Sequence, residues 1–127
     1  MDIRGQIALV TGGADGIGAG IAERLTAEGM RVVIADLDQE AGPATAARIG
    51  GSFVAADAAT GAGVRTAVET AGAVGVLVNS AGGTEEPCFP AASPAKWERT
   101  LDLNLHAVML ATQLVLDPMR DRGGAAG

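Results

Sequence analysis

Short apolar runs alternate with amphipathic stretches along the chain, which predicts strands and helices in turn. The apolar runs are continuous, as expected of strands that are buried on both faces of a parallel sheet. We therefore predict an α/β architecture with helices on both faces of that sheet. The predicted strands are Ile7–Val10, Arg31–Asp36, Ser52–Asp57 and Val74–Asn79, and the predicted helices are Gly16–Glu28, Asp38–Ile49, Thr60–Ala71 and 93–116.

The spacing of apolar residues also predicts which face of the first helix is buried. Ile17, Ile21 and Leu25 recur at intervals of four and should line that face, and Gly29 should end the helix. In the second helix, Pro43 fits best at the first helical position, where its missing N–H costs nothing.

The last predicted helix is the longest. Ser93 is expected to be its N-cap, Pro94 its first residue and Pro118 its end. We expect its apolar stripe to consist of Trp97, Leu101, Leu105, Val108 and Val115.

Composition limits the classes of function. The chain has 127 residues, 48% of them hydrophobic, which predicts a single globular domain over residues 1–127. The formal net charge of −6 disfavours binding to nucleic acid or anionic membranes. No signal peptide or membrane span is evident, so we expect a soluble, cytoplasmic protein. The single cysteine, Cys88, excludes an internal disulfide, and we expect no catalytic or metal-binding role for it.

A glycine-rich motif follows the first strand and opens the first helix. Gly12 permits a tight turn, Gly16 lets backbone approach a pyrophosphate, and Gly18 allows close packing of helix and strand. The helix start directs free N–H groups and a positive dipole end at phosphate. This context predicts a Rossmann-type, doubly wound dinucleotide-binding fold with strand order 3-2-1-4. A tight turn that binds no ligand is the alternative interpretation.

Two acidic residues end the second and third predicted strands. Asp36 lies 18 positions after Gly18, where a carboxylate can accept hydrogen bonds from the adenosine ribose. No cation follows it, and Asp15 is also acidic, so NAD is favoured over NADP. Asp57 could accept from the adenine amino group. Either acid could instead be a helix N-cap, and Asp36 could simply be a solvated strand end.

These residues, together with Asn79-Ser80-Ala81-Gly82 and Asp102-Leu103-Asn104-Leu105, resemble the short-chain dehydrogenase/reductase family of the NAD-binding kind. The resemblance covers essentially the whole chain. It implies that Asn104 is the helix asparagine of the catalytic proton relay, although a structural role bridging helix and strand is equally consistent with its residue type. The implied cofactor-binding residues are Gly12, Asp15, Gly16, Ile17, Gly18, Asp36, Leu37, Asp57, Ala58, Asn79, Ala81 and Gly82.

The sequence departs from the family pattern in one major respect. Family members use a Ser and a Tyr-x-x-x-Lys pair, but this sequence contains no Tyr and its only lysine is Lys96. Family subunits are also about twice as long. We therefore expect an N-terminal, incomplete NAD-binding portion that is inactive alone, within an oxidoreductase that transfers hydride between nicotinamide and an alcohol or carbonyl.

Several alternatives stay open on the sequence. A non-catalytic dinucleotide-binding module is the main one, and a Rossmann methyltransferase is disfavoured by the glycine spacing. The strand Val74–Asn79 would be an unprotected edge, which predicts marginal stability or completion by another chain, such as a second copy. The substrate cannot be identified, although the loop 83–92, with Glu85, Glu86 and Phe89, should lie on the substrate side.

Overall fold

A computed structural model describes residues 2–84 and 89–123 of the chain. Within them, four parallel strands form one sheet in the order β3-β2-β1-β4. This confirms the predicted α/β class and strand order. The strands are β1 (Ile7–Thr11), β2 (Arg31–Asp36), β3 (Ser52–Ala55) and β4 (Val74–Asn79).

Helices follow each strand and cover the faces of the sheet. They are α1 (Gly16–Ala27), α2 (Ala41–Ile49), α3 (Gly61–Ala71), α4 (Pro94–Leu101) and α5 (Ala107–Gly123), with a π-helical turn, Asp102–His106, between the last two. Ser93 is the N-cap of α4 and its side chain accepts from Lys96 N, as the sequence predicts.

The core lies on both faces of the sheet, which explains the continuous apolar runs. In β1, Ala8 and Val10 pack in one cluster with Ile34, whereas Leu9 packs in another with Val115 of α5. Alternate residues of a strand point to opposite faces, so a strand covered on both sides must be apolar throughout. Leu9 is fully buried, and burial of a side chain of this size stabilises the fold by about 2–3 kcal/mol.

The predicted orientation of α1 is wrong at its first turn. Ile17 is 81% exposed, and the buried residues of the helix are Gly18, Ala19 and Ala22. These small residues let the helix backbone approach the sheet closely, so the larger side chain is turned outward. The predicted stop is confirmed, because Gly29 directly follows the C-cap with a φ of 90°.

The third strand is shorter than predicted. β3 ends at Ala55, so Asp57 lies in the loop that leads to α3. The N-cap of α3 is Thr60, whose side chain accepts from Gly63 N at 3.0 Å. The alternative interpretation of Asp57 as a helix N-cap is therefore wrong.

The predicted position of Pro43 as the first residue of the second helix is wrong. α2 starts at Ala41, so Pro43 is its third residue rather than its first. The position is tolerated because N–H groups of the first turn have no partner within the helix. Asp38 performs the capping here, since its Oδ1 accepts from Glu40 N at 3.0 Å and Ala41 N at 2.8 Å. These bonds to the ionised form lower the pKa of Asp38.

Two predictions for the long helix are wrong. Trp97, Leu101 and Leu105 of the predicted stripe are exposed, whereas Val115 is buried as predicted; the other buried residues of α5 are Ala107 and Ala111. The π-turn accounts for part of the difference. It adds one residue to a helical turn and so rotates the apolar positions before it relative to those after it.

Pro118 does not end the long helix but lies inside α5, which continues to Gly123. Contacts beyond the proline hold this segment against the sheet. Met119 packs on the cluster around Leu9, and Arg122 Nη2 donates to the carbonyl of Val74 at the start of β4. One carbonyl of β4 is therefore bound by the side chain of Arg122, a contact that the sequence pattern did not predict.

Some sequence predictions fall outside the described residues, namely those for Glu85, Glu86 and Cys88. Across residues 2–84 and 89–123, no helix has the length and apolar character needed to cross a membrane. The same residues contain no group of three His, Cys, Asp or Glu side chains that could hold a metal ion.

Candidate functional site

An open cleft of about 450 Å³ runs along the carboxyl ends of the strands. It lies where the chain moves from β1 to β2 on one side and β4 continues the sheet on the other, which is the usual ligand position in open α/β sheets. Its volume is in the range of small-molecule sites. Its lining residues are Gly12, Asp15, Gly16, Ile17, Gly18, Ala35, Asp36, Leu37, Ala56, Asp57, Ala58, Ser80, Ala81, Gly82, Arg99 and Leu103.

The three motif glycines have different surroundings. A Cβ on Gly12 would lie 2.6 Å from Ala81 Cα, and one on Gly18 would lie 2.2 Å from the carbonyl oxygen of Gly12. Both positions are therefore closed by protein backbone. A Cβ on Gly16, where φ is 56°, would meet nothing within 4 Å. The loop thus packs tightly at both ends and leaves open space at its middle glycine.

Thr11 fixes the glycine loop against the segment that follows β4. Its Oγ1 accepts from Ser80 N at 3.2 Å and from Ala81 N at 3.3 Å, and it lies 3.4 Å from the Val78 carbonyl oxygen. The residue is 7% exposed, so these bonds satisfy a buried hydroxyl. One side chain at the end of β1 therefore positions two walls of the cleft.

Asp36 lies at the end of β2 and faces the cleft. Its Oδ2 accepts from Ala14 N at 3.1 Å, and its Oδ1 accepts from Asp38 N at 3.0 Å. The hydroxyl of Thr45 donates to the Ala14 carbonyl at 2.6 Å from the other side. Because an ionised carboxylate has about four acceptor positions, Asp36 keeps capacity for further donors.

The cleft also presents apolar surface and a helix terminus. Ile17 is 81% exposed and Leu37 is 55% exposed, and both line it. No side chain caps α1, since its N-cap Asp15 forms no capping hydrogen bond. The first N–H groups of a helix lack intrahelical partners and attract anions. The start of α1 can therefore bind a phosphate beside an apolar group.

Asp57 and Arg99 form an ion pair across one end of the cleft. Arg99 Nη1 lies 3.4 Å from Asp57 Oδ2, and Asp57 Oδ1 accepts from Ala59 N at 2.9 Å. Arg99 belongs to α4, whereas Asp57 follows β3, so the pair joins two elements that are distant in sequence. Among the described residues that line the cleft, Arg99 is the one cation.

Asn104 binds the backbone of the loop that follows β4. Its Oδ1 accepts from Gly83 N at 2.9 Å, and its Nδ2 donates to the Gly83 carbonyl at 2.7 Å and to the Thr100 carbonyl at 2.8 Å. Both N–H donors of the amide are therefore in use. The close approach also leaves no room for a Cβ at Gly82, which would lie 2.8 Å from Asn104 Oδ1. The side chain thus joins the π-turn to this loop.

The structure brings together every residue predicted to bind cofactor except Asn79. Asn79 does not line the cleft, and its Nδ2 lies 3.4 Å from Thr112 Oγ1 of α5. It points to that side because neighbouring residues of a strand alternate between the two faces.

Five residues that line the cleft have no role predicted from the sequence. Ser80 lies within the motif Asn79-Ser80-Ala81-Gly82, and that position was a signal that it would line the cleft. Arg99 and Leu103 lie on one side of the helical segment, and their spacing of four from each other was an available signal. The five are Ala35, Ala56, Ser80, Arg99 and Leu103.

A second cavity, of about 470 Å³, adjoins the cleft and shares Gly82, Arg99 and Leu103 with it. Its remaining wall comes from the loop after β4 and from the start of α4. The other lining residues are Gly83, Thr84, Ser93, Ala95, Lys96 and Thr100.

Comparison with known proteins gives consistent results. A family model described as short chain dehydrogenase matches residues 6–126. The 3-alpha-(or 20-beta)-hydroxysteroid dehydrogenase of Mycobacterium tuberculosis is 38% identical over 125 residues, which cover 94% of this chain and 48% of that protein. The D-threitol dehydrogenase of Mycolicibacterium smegmatis is 37% identical over 131 residues, with coverages of 96% and 50%.

Solved structures show the same fold. The 3-ketoacyl-(acyl-carrier-protein) reductase from Brucella melitensis complexed with NADH matches with a TM-score of 0.86 and 32% identity, covering 96% of this chain and 53% of that one. A blue fluorescent protein from a metagenomic library in complex with NADPH matches with a TM-score of 0.83 and 33% identity, covering 94% and 53%. The chain spans about half the length of the curated relatives it matches.

Proposed function

The chain belongs to the short-chain dehydrogenase family, and we propose that its cleft binds the dinucleotide NAD(H) for an oxidoreductase of that family. One observation carries the proposal. The glycine loop, Asp36 at the end of β2, Asp57 after β3 and the segment 80–82 all line one cleft at the carboxyl ends of the strands. Relatives of this family with bound NADH or NADPH support a nicotinamide dinucleotide as the ligand.

The residues of the cleft fit such a ligand in three respects. The space opposite Gly16 would admit a pyrophosphate close to the uncapped start of α1. Asp36 has acceptor capacity for the hydroxyls of the adenosine ribose, and Leu37 beside it offers apolar surface. Asp57 and Ala58 would meet the adenine, and Ala81 and Gly82 would border the nicotinamide ribose.

We propose that the cofactor is NAD(H) rather than NADP(H). Asp36 would meet a ribose 2′-phosphate with like charge, and the next two residues, Leu37 and Asp38, offer no cation to offset it. Asp15 adds a further acid to the lining of the cleft. Like charges at short range and in partial burial repel strongly enough to change a dissociation constant by about 10- to 100-fold.

Titration of the chain with NADH and NADPH tests this proposal. We expect NADH to bind at least about tenfold more tightly, and Asp36→Asn to reduce that preference because it removes the charge but keeps an acceptor for Ala14 N. Asp38→Asn is the matched control, since it removes a neighbouring carboxylate that does not line the cleft. Equal affinity of the unmodified chain for both cofactors would contradict the preference, and no binding of either would contradict the function.

For the whole protein we propose hydride transfer between the nicotinamide and an alcohol or carbonyl, in which the bound cofactor supplies the hydride chemistry. Within this chain the task of the residues is to bind and orient the cofactor. Asn104 would act by holding Gly83 in place through two hydrogen bonds, while its third bond, to the Thr100 carbonyl, fixes its own side chain.

A non-catalytic binding module is the second candidate function for these 127 residues, which contain no tyrosine. We therefore propose that these residues alone bind NADH without oxidising it. NADH absorbance followed in the presence of a panel of small carbonyl compounds tests this, because binding without loss of absorbance is expected. Steady turnover would show that a proton donor other than tyrosine operates here.

A further inference from the structure

Arg99 links two walls of the cleft through its side chain. It lies on α4, one helical turn before Leu103, and both residues line the cleft. Its Nη1 is 3.4 Å from Oδ2 of Asp57, in the loop between β3 and α3. Arg99 is 40% exposed and Asp57 is 28% exposed, so the contact lies at the surface of the cleft rather than in the core.

The position of the Asp57 backbone is fixed independently of this contact. Its carbonyl accepts from Thr60 N at 3.1 Å and from the Thr60 hydroxyl at 3.0 Å. A Cβ on Gly63 would lie 2.0 Å from the same carbonyl oxygen, which shows how closely α3 approaches. The loop would therefore keep its course without Arg99, and what Arg99 controls is the direction of the carboxylate.

The carboxylate is held by one donor at each oxygen. Asp57 Oδ1 accepts from Ala59 N at 2.9 Å, and Oδ2 faces Arg99. Two fixed donors restrict rotation of the carboxylate, and each oxygen keeps an acceptor position for another N–H group. Such an acceptor discriminates against a base that presents an acceptor oxygen in place of the N–H donor.

We propose that Arg99 is a positioning residue for base recognition. By orienting the Asp57 carboxylate, it makes the cleft select a purine with an exocyclic amino group, adenine, over one without it, hypoxanthine. This inference rests on the proposed function, because it assumes that a dinucleotide occupies the cleft with its base near Asp57. It goes beyond that function by assigning base selectivity to a residue on α4.

The test compares the dissociation constants of NADH and its hypoxanthine analogue, in which the amino group is replaced by oxygen. The unmodified chain should bind NADH about tenfold more tightly, because a hydrogen bond to a charged acceptor is lost with the analogue. Arg99→Gln should bring the ratio of the two constants close to one, whereas Arg99→Lys should retain part of it. Asp57→Asn should also lower the ratio, and adding Arg99→Gln to it should lower the ratio no further.

Arg120→Gln is the matched control, because Arg120 is an exposed arginine that pairs with Asp117 on α5, away from the cleft. It should leave the ratio unchanged. Circular dichroism of each variant shows that the fold is retained. If Arg99→Gln weakens the binding of both ligands equally, Arg99 connects the two walls without affecting base selectivity, and the inference is wrong. A ratio of one in the unmodified chain overturns the inference alone, whereas failure to bind either ligand overturns the proposed function as well.

Discussion

The two sides of the cleft differ in how they are held together. On the β1 side, four of the five residues of β1 are buried, and the glycine loop packs directly on the backbone after β4. On the α4 side, neither α4 nor the π-turn has a buried residue, and Trp97, Leu101 and Leu105 are exposed. The first wall is held by apolar packing, and the second is joined to the sheet through polar contacts.

The difference indicates where substitutions should act. Packing on the β1 side is close, so an added methyl group would clash with its neighbours and a removed one would leave a cavity. On the α4 side, the contacts of Asn104 with Gly83 and of Arg99 with Asp57 are polar and lie near the surface. We therefore expect large losses of stability from apolar changes on the β1 side, and smaller effects from polar changes on the α4 side.

The largest effect should come from a buried leucine. Leu9→Ala should lower the free energy of unfolding by about 2–5 kcal/mol, because Leu9 is fully buried and its removal leaves a cavity. Leu101→Ala is the matched change on the other side, where the side chain is 52% exposed, and should cost about 1 kcal/mol or less. Urea unfolding of both variants measures the difference. Equal losses would remove the contrast between the two sides.

A pair of glycines in α1 sharpens the contrast within one helix. Gly18→Ala should destabilise the fold by about 1–3 kcal/mol and weaken NADH binding, because its Cβ would lie 2.2 Å from the Gly12 carbonyl oxygen. Gly20→Ala meets nothing within 4 Å and should stabilise the helix by about 0.5–1 kcal/mol. Thermal unfolding and NADH titration measure both effects. If Gly18→Ala changes neither the stability nor the affinity for NADH, the loop can move to accommodate the added methyl group.

Asn104 tests the polar attachment of the α4 side. Asn104→Ala removes three hydrogen bonds and should lower the free energy of unfolding by about 1–3 kcal/mol. Gln113→Ala, an exposed amide on α5, is the control and should change stability by about 0.5 kcal/mol or less. Chemical denaturation gives both values. If the two variants are equally stable, the contacts with Gly83 do not hold the loop.

The smallest effect should come from the turn before α2. The pKa of Asp38 is lowered from 3.8 by hydrogen bonds from Ala41 N and Glu40 N. A lowered folded pKa stabilises the fold above the unfolded pKa, and this contribution is lost as the pH falls through the folded pKa. Asp38→Asn should therefore be less stable than the parent chain at pH 7, and the gap should narrow below pH 3.8. A gap that is independent of pH would contradict this.

Predictions from the sequence were accurate where a local pattern and burial agreed. The bounds of β2 and β4 and the strand order match the predictions, because continuous apolar runs have few alternative positions in a sheet covered on both faces. The predicted ends of β3 and of the last helix are wrong. At β3 the local cap by Thr60 starts α3 and leaves Asp57 in the loop, whereas tertiary contacts of Met119 and Arg122 hold the last helix beyond Pro118.

The sequence by itself determined the α/β architecture and the position of the glycine loop before α1, since these follow from hydrophobic period and from backbone conformations that glycine adopts readily. It also indicated that Asp36 and Asp57 lie near each other at the cleft, because the ends of parallel strands meet at one edge of the sheet. Only the tertiary structure decided that Arg99 reaches Asp57 and that Asn104 binds Gly83. These pairs join residues 42 and 21 positions apart, and their meeting depends on how α4 and the π-turn pack against the strand ends.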